Sequence, residues 1–298
     1  MYLTIENRKI YLNVWDHVKN PKGIIQVIHG MAEHSDRYIK LGAFFNLRGY
    51  IVVCNDHFGH RNSINNYYGE MTNEGLYTYV SDEMFISEYL NKKYEMPIHI
   101  ISHSMGSFIG QELLSKNINY IKSYTFIGSA YSRSFKMKVS LHLLRILSKF
   151  RNKKSDYLLD KLFFLGYSNL FEKRTAFDWL SLNRGNVDTY INDENCGNIY
   201  PSEFYKKFGI FLNNLHIPNK FKDIINKKSL LILSGSNDPV GNFSKDILKL
   251  EKFYKNLNFS VQSKIYKNLR HEILNEENFL EIYKDIYTFI SQNSLYEN

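Results

Sequence analysis

The sequence predicts an α/β protein: a mostly parallel central sheet flanked by helices, interrupted once by an inserted helical cap. Three observations predict it. Five short β-branched runs, 24–28, 51–54, 98–101, 123–127 and 230–233, lack polar alternation, which marks strands buried on both faces. Helical patterns fall between them, so strand and helix alternate under the right-handed crossover rule. The 298 residues, 44% hydrophobic and 23% charged, suffice for one large domain or two small ones.

Taken in order, alternating runs at 2–5 and 9–15 around Asn7 and Arg8 predict an opening antiparallel hairpin. The Asn20-Pro21-Lys22-Gly23 turn leads into the first buried strand. Helical spacing predicts helices over 36–47, 76–93, 108–116, 243–256 and 275–290, with a further short strand at 260–266. The interval from Tyr131 to His216 holds helix-like stretches but no clean buried strand, and it is too long for an ordinary connection. The expected division is a core of residues 1–130 and 217–298 with a helical cap inserted at 131–216.

With 38 Lys+Arg against 30 Asp+Glu the formal charge is +8. Between Arg133 and Arg174 stand 11 basic and 3 acidic residues, an excess of eight, and the remainder balances at 27 against 27. One segment therefore carries the whole net charge, which favours an anionic surface as its partner. Cys54 and Cys196 form neither a disulfide framework nor a four-ligand zinc site, which points to a reducing, cytoplasmic setting. The N-terminus has no signal-peptide core, and no run of 18 uncharged apolar residues occurs.

Ser102-His103-Ser104-Met105-Gly106 directly follows one buried strand and precedes a helical pattern, the context of a nucleophile elbow. Such a turn needs small residues two before and two after the nucleophile. Ser104 satisfies this with Ser102 and Gly106, whereas Ser102 as nucleophile would put β-branched Ile100 at the crowded position. His29-Gly30-Met31 follows another buried strand, where a glycine lets the next amide point at a developing oxyanion. The expected donors are the Met31 and Met105 amides. Asp238 lies on a loop after the run 230–233, and His271 comes 33 residues later, giving the chain order Ser, Asp, His. Singly, Asp238 also reads as a helix N-cap and His271 as a surface histidine; order and spacing favour a triad. Asp56-His57-Phe58-Gly59-His60 has metal-ligand residue types, yet a turn tied down by Asp56 to backbone or Arg61 explains it more simply. No metal is expected. No nucleotide-binding glycine motif is present, and no cofactor is expected.

These residues resemble the monoacylglycerol lipase and lysophospholipase branch of the α/β-hydrolases over almost the whole chain. The resemblance rests on His29-Gly30-Met31-Ala32-Glu33-His34-Ser35-Asp36-Arg37-Tyr38, the Asp56 run, His103-Ser104-Met105-Gly106, Phe177-Asp178-Trp179-Leu180-Ser181, Asp238-Pro239-Val240 and Arg270-His271-Glu272-Ile273-Leu274-Asn275-Glu276. It implies Ser104, Asp238 and His271 as the triad, Met31 and Met105 amides as the oxyanion hole, and hydrolysis of a long-chain acyl ester. Ser102 and Ser107 depart from family glycines, and Asn62 follows Arg61 where the family has glycine then a basic residue.

In the cap, Phe135, Leu143, Leu144, Phe163, Phe164 and Trp179 are candidates to line an acyl pocket, though core packing accounts for any single one. Projection of 135–150 at 100° per residue sets Lys138, His142, Arg145 and Lys149 on one stripe beside a broad apolar face. Arg151, Lys153 and Lys154 prolong it. Two readings stand: segment 135–154 contacts an anionic membrane, or its apolar face packs on the core. Two other functions stay open, a hydrolase of small soluble esters or peptides and a basic non-enzymatic binder. No recognition motif accompanies the charge, so nucleic acid is not the expected partner.

Overall fold

The computed structural model describes residues 1–167, 171–172, 174–222, 224 and 227–294; Lys173 of the basic segment lies outside them. Eight strands form one sheet in the order β1-β2-β4-β3-β5-β6-β7-β8. β1 (Tyr2–Ile5) and β2 (Arg8–Trp15) make the expected antiparallel hairpin, with Glu6 at φ +53° in its turn. β2 joins β4 (Tyr50–Asn55) antiparallel, and every later pairing is parallel, through β3 (Gly23–Ile28), β5 (Ile98–His103), β6 (Ile121–Ile127), β7 (Ser229–Gly235) and β8 (Ser260–Tyr266).

The unalternating runs have a direct cause. In β3, Ile24 and Ile28 enter one core with helices α2 (Leu76–Tyr94), α3 (Met105–Leu114) and α9 (Lys245–Asn256), while Ile25 and Val27 enter another with α1 (Ile39–Asn46) and α10 (Phe279–Ser294). Period-two geometry sends neighbours to opposite faces, and both faces are covered. All four side chains are fully buried, each contributing roughly 1.5–3 kcal/mol.

Helix starts differ from the periodicity. α3 begins at Met105, three residues early, because the turn at Ser104 feeds straight into it. α9 begins at Lys245, since Asn242, Phe243 and Ser244 all have positive φ. α10 begins at Phe279 and runs to Ser294, because Ile273–Asn275 forms a 3-10 turn and Glu276 is extended.

Between β6 and β7 lie α4 (Phe135–Ser148), α5 (Tyr157–Phe163), α6 (Arg184–Asn192), α7 (Ser202–Leu215) and the single turn α8 (Asn219–Lys222). Ser134 caps α4 by accepting from the Met137 amide (3.4 Å). α4 packs on α7 so closely that a Cβ on Gly209 would come within 3.0 Å of Leu144. Its apolar residues divide between two faces. Leu144 is buried and Met137 and Leu141 are half-buried against the core, whereas Phe135, Val139, Leu143, Ile146, Leu147 and, just past the helix end, Phe150 are exposed, the two phenylalanines above 80%. Core packing therefore accounts for one arc only: Met137, Leu141 and Leu144 turn inward, and the other arc faces solvent, with Leu143 at its edge. Among the described residues no helix is long and apolar enough to cross a membrane.

Candidate active site

β5 ends in a turn whose pivot, Ser104, has φ +53° and ψ −121°, a strained conformation for a side-chain-bearing residue. Gly106 is obligatory there, because a Cβ would lie 2.2 Å from the Ile28 carbonyl of β3. The serine at 102 is absorbed by its surroundings. Its hydroxyl donates to the Thr125 carbonyl (3.0 Å), and the facing α3 residue is Gly110, whose Cβ would lie 2.7 Å from that hydroxyl. Ser102 fits on the strand because the residue that faces it on the helix is a glycine.

Asp238 and His271 come from the loops after β7 and β8. His271 Nδ1 lies 3.0 Å from Asp238 Oδ1, and both side chains are buried. The same carboxylate oxygen accepts from the Val240 amide (2.9 Å), which holds it in place. Gly235 permits this approach, since a Cβ would lie 2.2 Å from the Leu269 and Arg270 carbonyls. Residues 127–128 join the two halves. The Ser104 amide donates to the Ile127 carbonyl (2.9 Å), and Gly128, at φ +59°, faces His271 so closely that a Cβ would lie 2.8 Å from its Cε1. Trp179, reaching in from the insertion, sets its ring centroid 5.1 Å from that of His271. Leu180 accepts from the Glu272 amide (2.7 Å), and Arg270 holds the carbonyls of Asp178 and Ser181.

After β3, Gly30 faces the elbow: a Cβ there would lie 3.1 Å from Ser104 Cβ. Met31, Ser104 and Met105 line one cavity of about 230 Å³. Its walls are mostly apolar, with Phe108 from the core and Leu143, Leu144, Phe163 and Phe164 from the insertion. Four of the six candidate lining residues are thus there. Phe135 points to solvent instead, and Trp179 packs beside His271.

Sequence reasoning assigned no role to a buried ionic network beneath this site. Glu33 Oε1 accepts from the Gly30 amide (2.6 Å) and Tyr38 (3.1 Å) and lies 3.0 Å from His103 Nδ1. Arg37 pairs with Glu33 (2.9 Å) and grips Glu272 with both terminal nitrogens (2.6 and 2.7 Å). Burial alone would raise the Glu33 carboxyl, but the His103 hydrogen bond and the Arg37 charge hold it well below the ordinary carboxylate range. Burial likewise opposes ionisation of Glu272, and Arg37 pulls it below the usual value. The network ties the Gly30 turn, the elbow and the His271 loop together. Its one signal in sequence was the i,i+4 spacing of Glu33 and Arg37.

Ser107 also has a structural consequence. Its hydroxyl reaches the Ser104 carbonyl (2.6 Å) and Ser129 Oγ (2.8 Å), and Gln111 Nε2 donates to Ser129 Oγ (2.9 Å).

The Asp56 loop is a turn. Asp56 accepts from the amides of Ser35 (2.8 Å) and Asn62 (3.2 Å), while Arg61 pairs with Asp36. His29 and His60 are fixed as neutral imidazoles with pKa about 3, first by burial and then by neighbouring histidines. The His29 and His57 rings exchange hydrogen bonds with each other's backbone (3.0 and 3.1 Å) and offer no ligand set. Among the described residues one other group, His34, Asp193 and Cys196, brings three ligand atoms within 4.8 Å. There His34 Nδ1 accepts from Arg61 (3.2 Å) and its Nε2 donates to Asp193 (2.8 Å), so both ring nitrogens are already engaged.

A family model described as serine aminopeptidase, S33, matches residues 19–278. A monoglyceride lipase homolog of Monkeypox virus is 23% identical over 291 residues, covering 96% of this chain and 95% of that protein. Among solved structures, a thermostable carboxyl esterase from Bacillus coagulans superposes with a TM-score of 0.90 at 21% identity, covering 99% of this chain and 98% of that one. A soluble variant of monoglyceride lipase from Saccharomyces cerevisiae, in complex with a substrate analog, gives a TM-score of 0.77 at 19% identity, covering 100% and 95%. The fold is that of the α/β-hydrolases, and the chain belongs to the serine aminopeptidase S33 family.

Proposed function

We propose that the protein is a serine hydrolase that cleaves the carboxylic ester of a lipid with one long acyl chain, such as a monoacylglycerol or lysophospholipid. The observation that carries this reading is an elbow serine lining an apolar cavity, next in the chain to His103, whose ring stands 4.8 Å from that of the buried, carboxylate-paired His271. Ser104 Oγ attacks the ester carbonyl as His271 takes its proton. Asp238 keeps His271 in the reactive tautomer and stabilises the imidazolium. The Met31 and Met105 amides bind the tetrahedral oxyanion. His271 returns the proton to the departing alcohol, leaving an acyl-enzyme, and then activates the water that releases fatty acid.

In this reading residues 1–130 and 217–298 are the catalytic core and 131–216 the cap whose α4 and α5 side chains shelter the acyl chain. The similarity to the viral monoglyceride lipase homolog supports the substrate class. The exposed apolar arc of α4 and the basic residues through Lys154 support peripheral contact of segment 135–154 with an anionic membrane, and the two free thiols support a cytoplasmic setting. Labelling with a fluorophosphonate followed by peptide mass analysis tests the nucleophile, and an adduct on any residue but Ser104 overturns it. A chain-length series of p-nitrophenyl esters tests the substrate. Turnover that falls steadily from acetate to laurate would transfer the assignment to small soluble esters.

A further inference from the structure

On the outer side of α4, away from the acyl cavity, lies a second and larger cavity of about 730 Å³, an open groove between α4 and α7. Lys138, His142, Arg145 and Lys149 line it from α4, and Lys206 from α7. Among the described residues no carboxylate lines it. The nearest acidic group to Lys206, Glu203, stands 3.8 Å from its Nζ, which donates instead to the Arg151 carbonyl (2.7 Å). Among the described residues Lys138 and Arg145 have no carboxylate partner. Leu141 and Leu144 line both cavities, so α4 is the wall between them.

Around the α4 axis the order is inward arc, groove and exposed apolar arc. At 100° per residue Lys138, His142, Arg145 and Lys149 occupy a sector bounded by inward Leu141 on one side and outward Phe135 on the other. A ligand suited to this surface needs an anion for the groove and acyl chains beside it for the apolar arc. Free phosphate or a nucleic acid leaves the arc uncovered, and neutral lipid leaves the cations unpaired. We propose that the groove is a binding site for the phosphodiester headgroup of an anionic phospholipid, seated while the neighbouring arc enters the acyl region. The proposal rests on the membrane contact given above and sharpens it: Lys206, on a different helix from the amphipathic stripe, completes a pocket where diffuse attraction needs only a charged face. Such a site orients the cap on the bilayer with the acyl cavity on the other side of the same helix.

The test compares two charge-matched triple variants in co-sedimentation with phosphatidylglycerol vesicles at low salt. One carries Lys138→Gln, Arg145→Gln and Lys206→Gln; the other carries Lys9→Gln, Lys252→Gln and Lys284→Gln, exposed lysines elsewhere. At about fivefold per basic residue near the surface, the groove variant loses roughly a hundredfold in partitioning, and the control loses far less. Arg145→Lys alone keeps the charge and retains binding, which guards against loss by misfolding. Equal losses in the two triple variants, or none, overturn the headgroup site. Glycerophosphoglycerol in solution binding as tightly as vesicles would make the site one for soluble phosphodiesters, and tighter binding of a single-stranded oligonucleotide would reassign it to nucleic acid; either defeats the proposal. Because partitioning needs no turnover, failure here leaves the Ser104 assignment to its own labelling test.

Discussion

His216 Nε2 lies 2.7 Å from Gln111 Oε1, joining the exit of the inserted segment to the helix that follows Ser104. The other ring nitrogen accepts from the Ser132 amide (3.1 Å), at the entry of the same segment, so His216 is a neutral imidazole donating through Nε2. Burial, followed by the charges of Arg133 and Lys220, lowers its pKa to about 3, which keeps this arrangement through the physiological range. Tyr254 also donates to Gln111 (3.1 Å). With Ser129 and Ser107, the chain of hydrogen bonds runs from both ends of the insertion to the Ser104 carbonyl.

Gln111→Leu leaves the buried His216 and Tyr254 donors without their acceptor and takes one of two partners from Ser129, and it should lower stability by roughly 2–4 kcal/mol. Ser107→Ala removes only a terminal link and should cost about 1 kcal/mol. Urea unfolding of both variants measures this. Equal, small effects would mean that solvent satisfies the orphaned groups.

Ser104→Ala should abolish ester turnover apart from a residue of roughly 10³–10⁴ over water, and Asp238→Asn should lower kcat by about 10⁴ with the fold unchanged. Stopped-flow or endpoint assays with a chromogenic ester, beside circular dichroism, decide it. An active Ser104→Ala protein would remove the triad assignment.

Arg37→Met strands Glu33 and Glu272 as buried carboxylates without their cation and should cost roughly 3–5 kcal/mol. Both carboxyls have lowered folded values, so their stabilisation is present above the ordinary carboxylate pKa and is lost as pH falls through the folded one. Thermal melts at pH 7 and pH 3 check the sign: the gap between wild type and variant should narrow in acid.

Glu83 is fully buried against Gln26 (2.6 Å) and near His57 Nδ1 (3.5 Å), and burial raises its pKa from 4.5 to about 8. Between those values the folded protein holds a proton that the unfolded chain has released, so the Glu83 contribution falls as pH rises from 4.5 to 8, and it shows as a net fall only above 6.5, where the histidines no longer titrate. His29 and His60 act below 6.5 in the opposite sense: the unfolded chain binds protons that the folded state refuses until about pH 3. Glu83→Gln should flatten the first slope and leave the second. Urea midpoints across pH 4 to 9 would show it, and an unchanged slope above pH 6.5 would rule out Glu83 as the source.

Much of the architecture was legible because its signals are local. The unalternating runs became β3 to β7, the hairpin formed at 2–15, and the Ser104 elbow followed from small residues at 102 and 106. Helix starts were less legible, since periodicity does not register a positive φ at Ser244 or a 3-10 turn at Ile273. The ionic network escaped notice because Arg37 and Glu272 lie 235 residues apart in the chain.

The sequence by itself determined the fold class, the elbow and the chain order of Ser104, Asp238 and His271, because burial on two faces and tight turns restrict residue type position by position. Only the tertiary structure decided which of the two apolar arcs of α4 turns inward, how Gly110 makes room for Ser102, and how Ser107 and His216 tie the insertion to the elbow. Periodicity records that an apolar arc exists but not what covers it. Contacts between distant residues are settled by the packing of whole elements, which no local pattern contains.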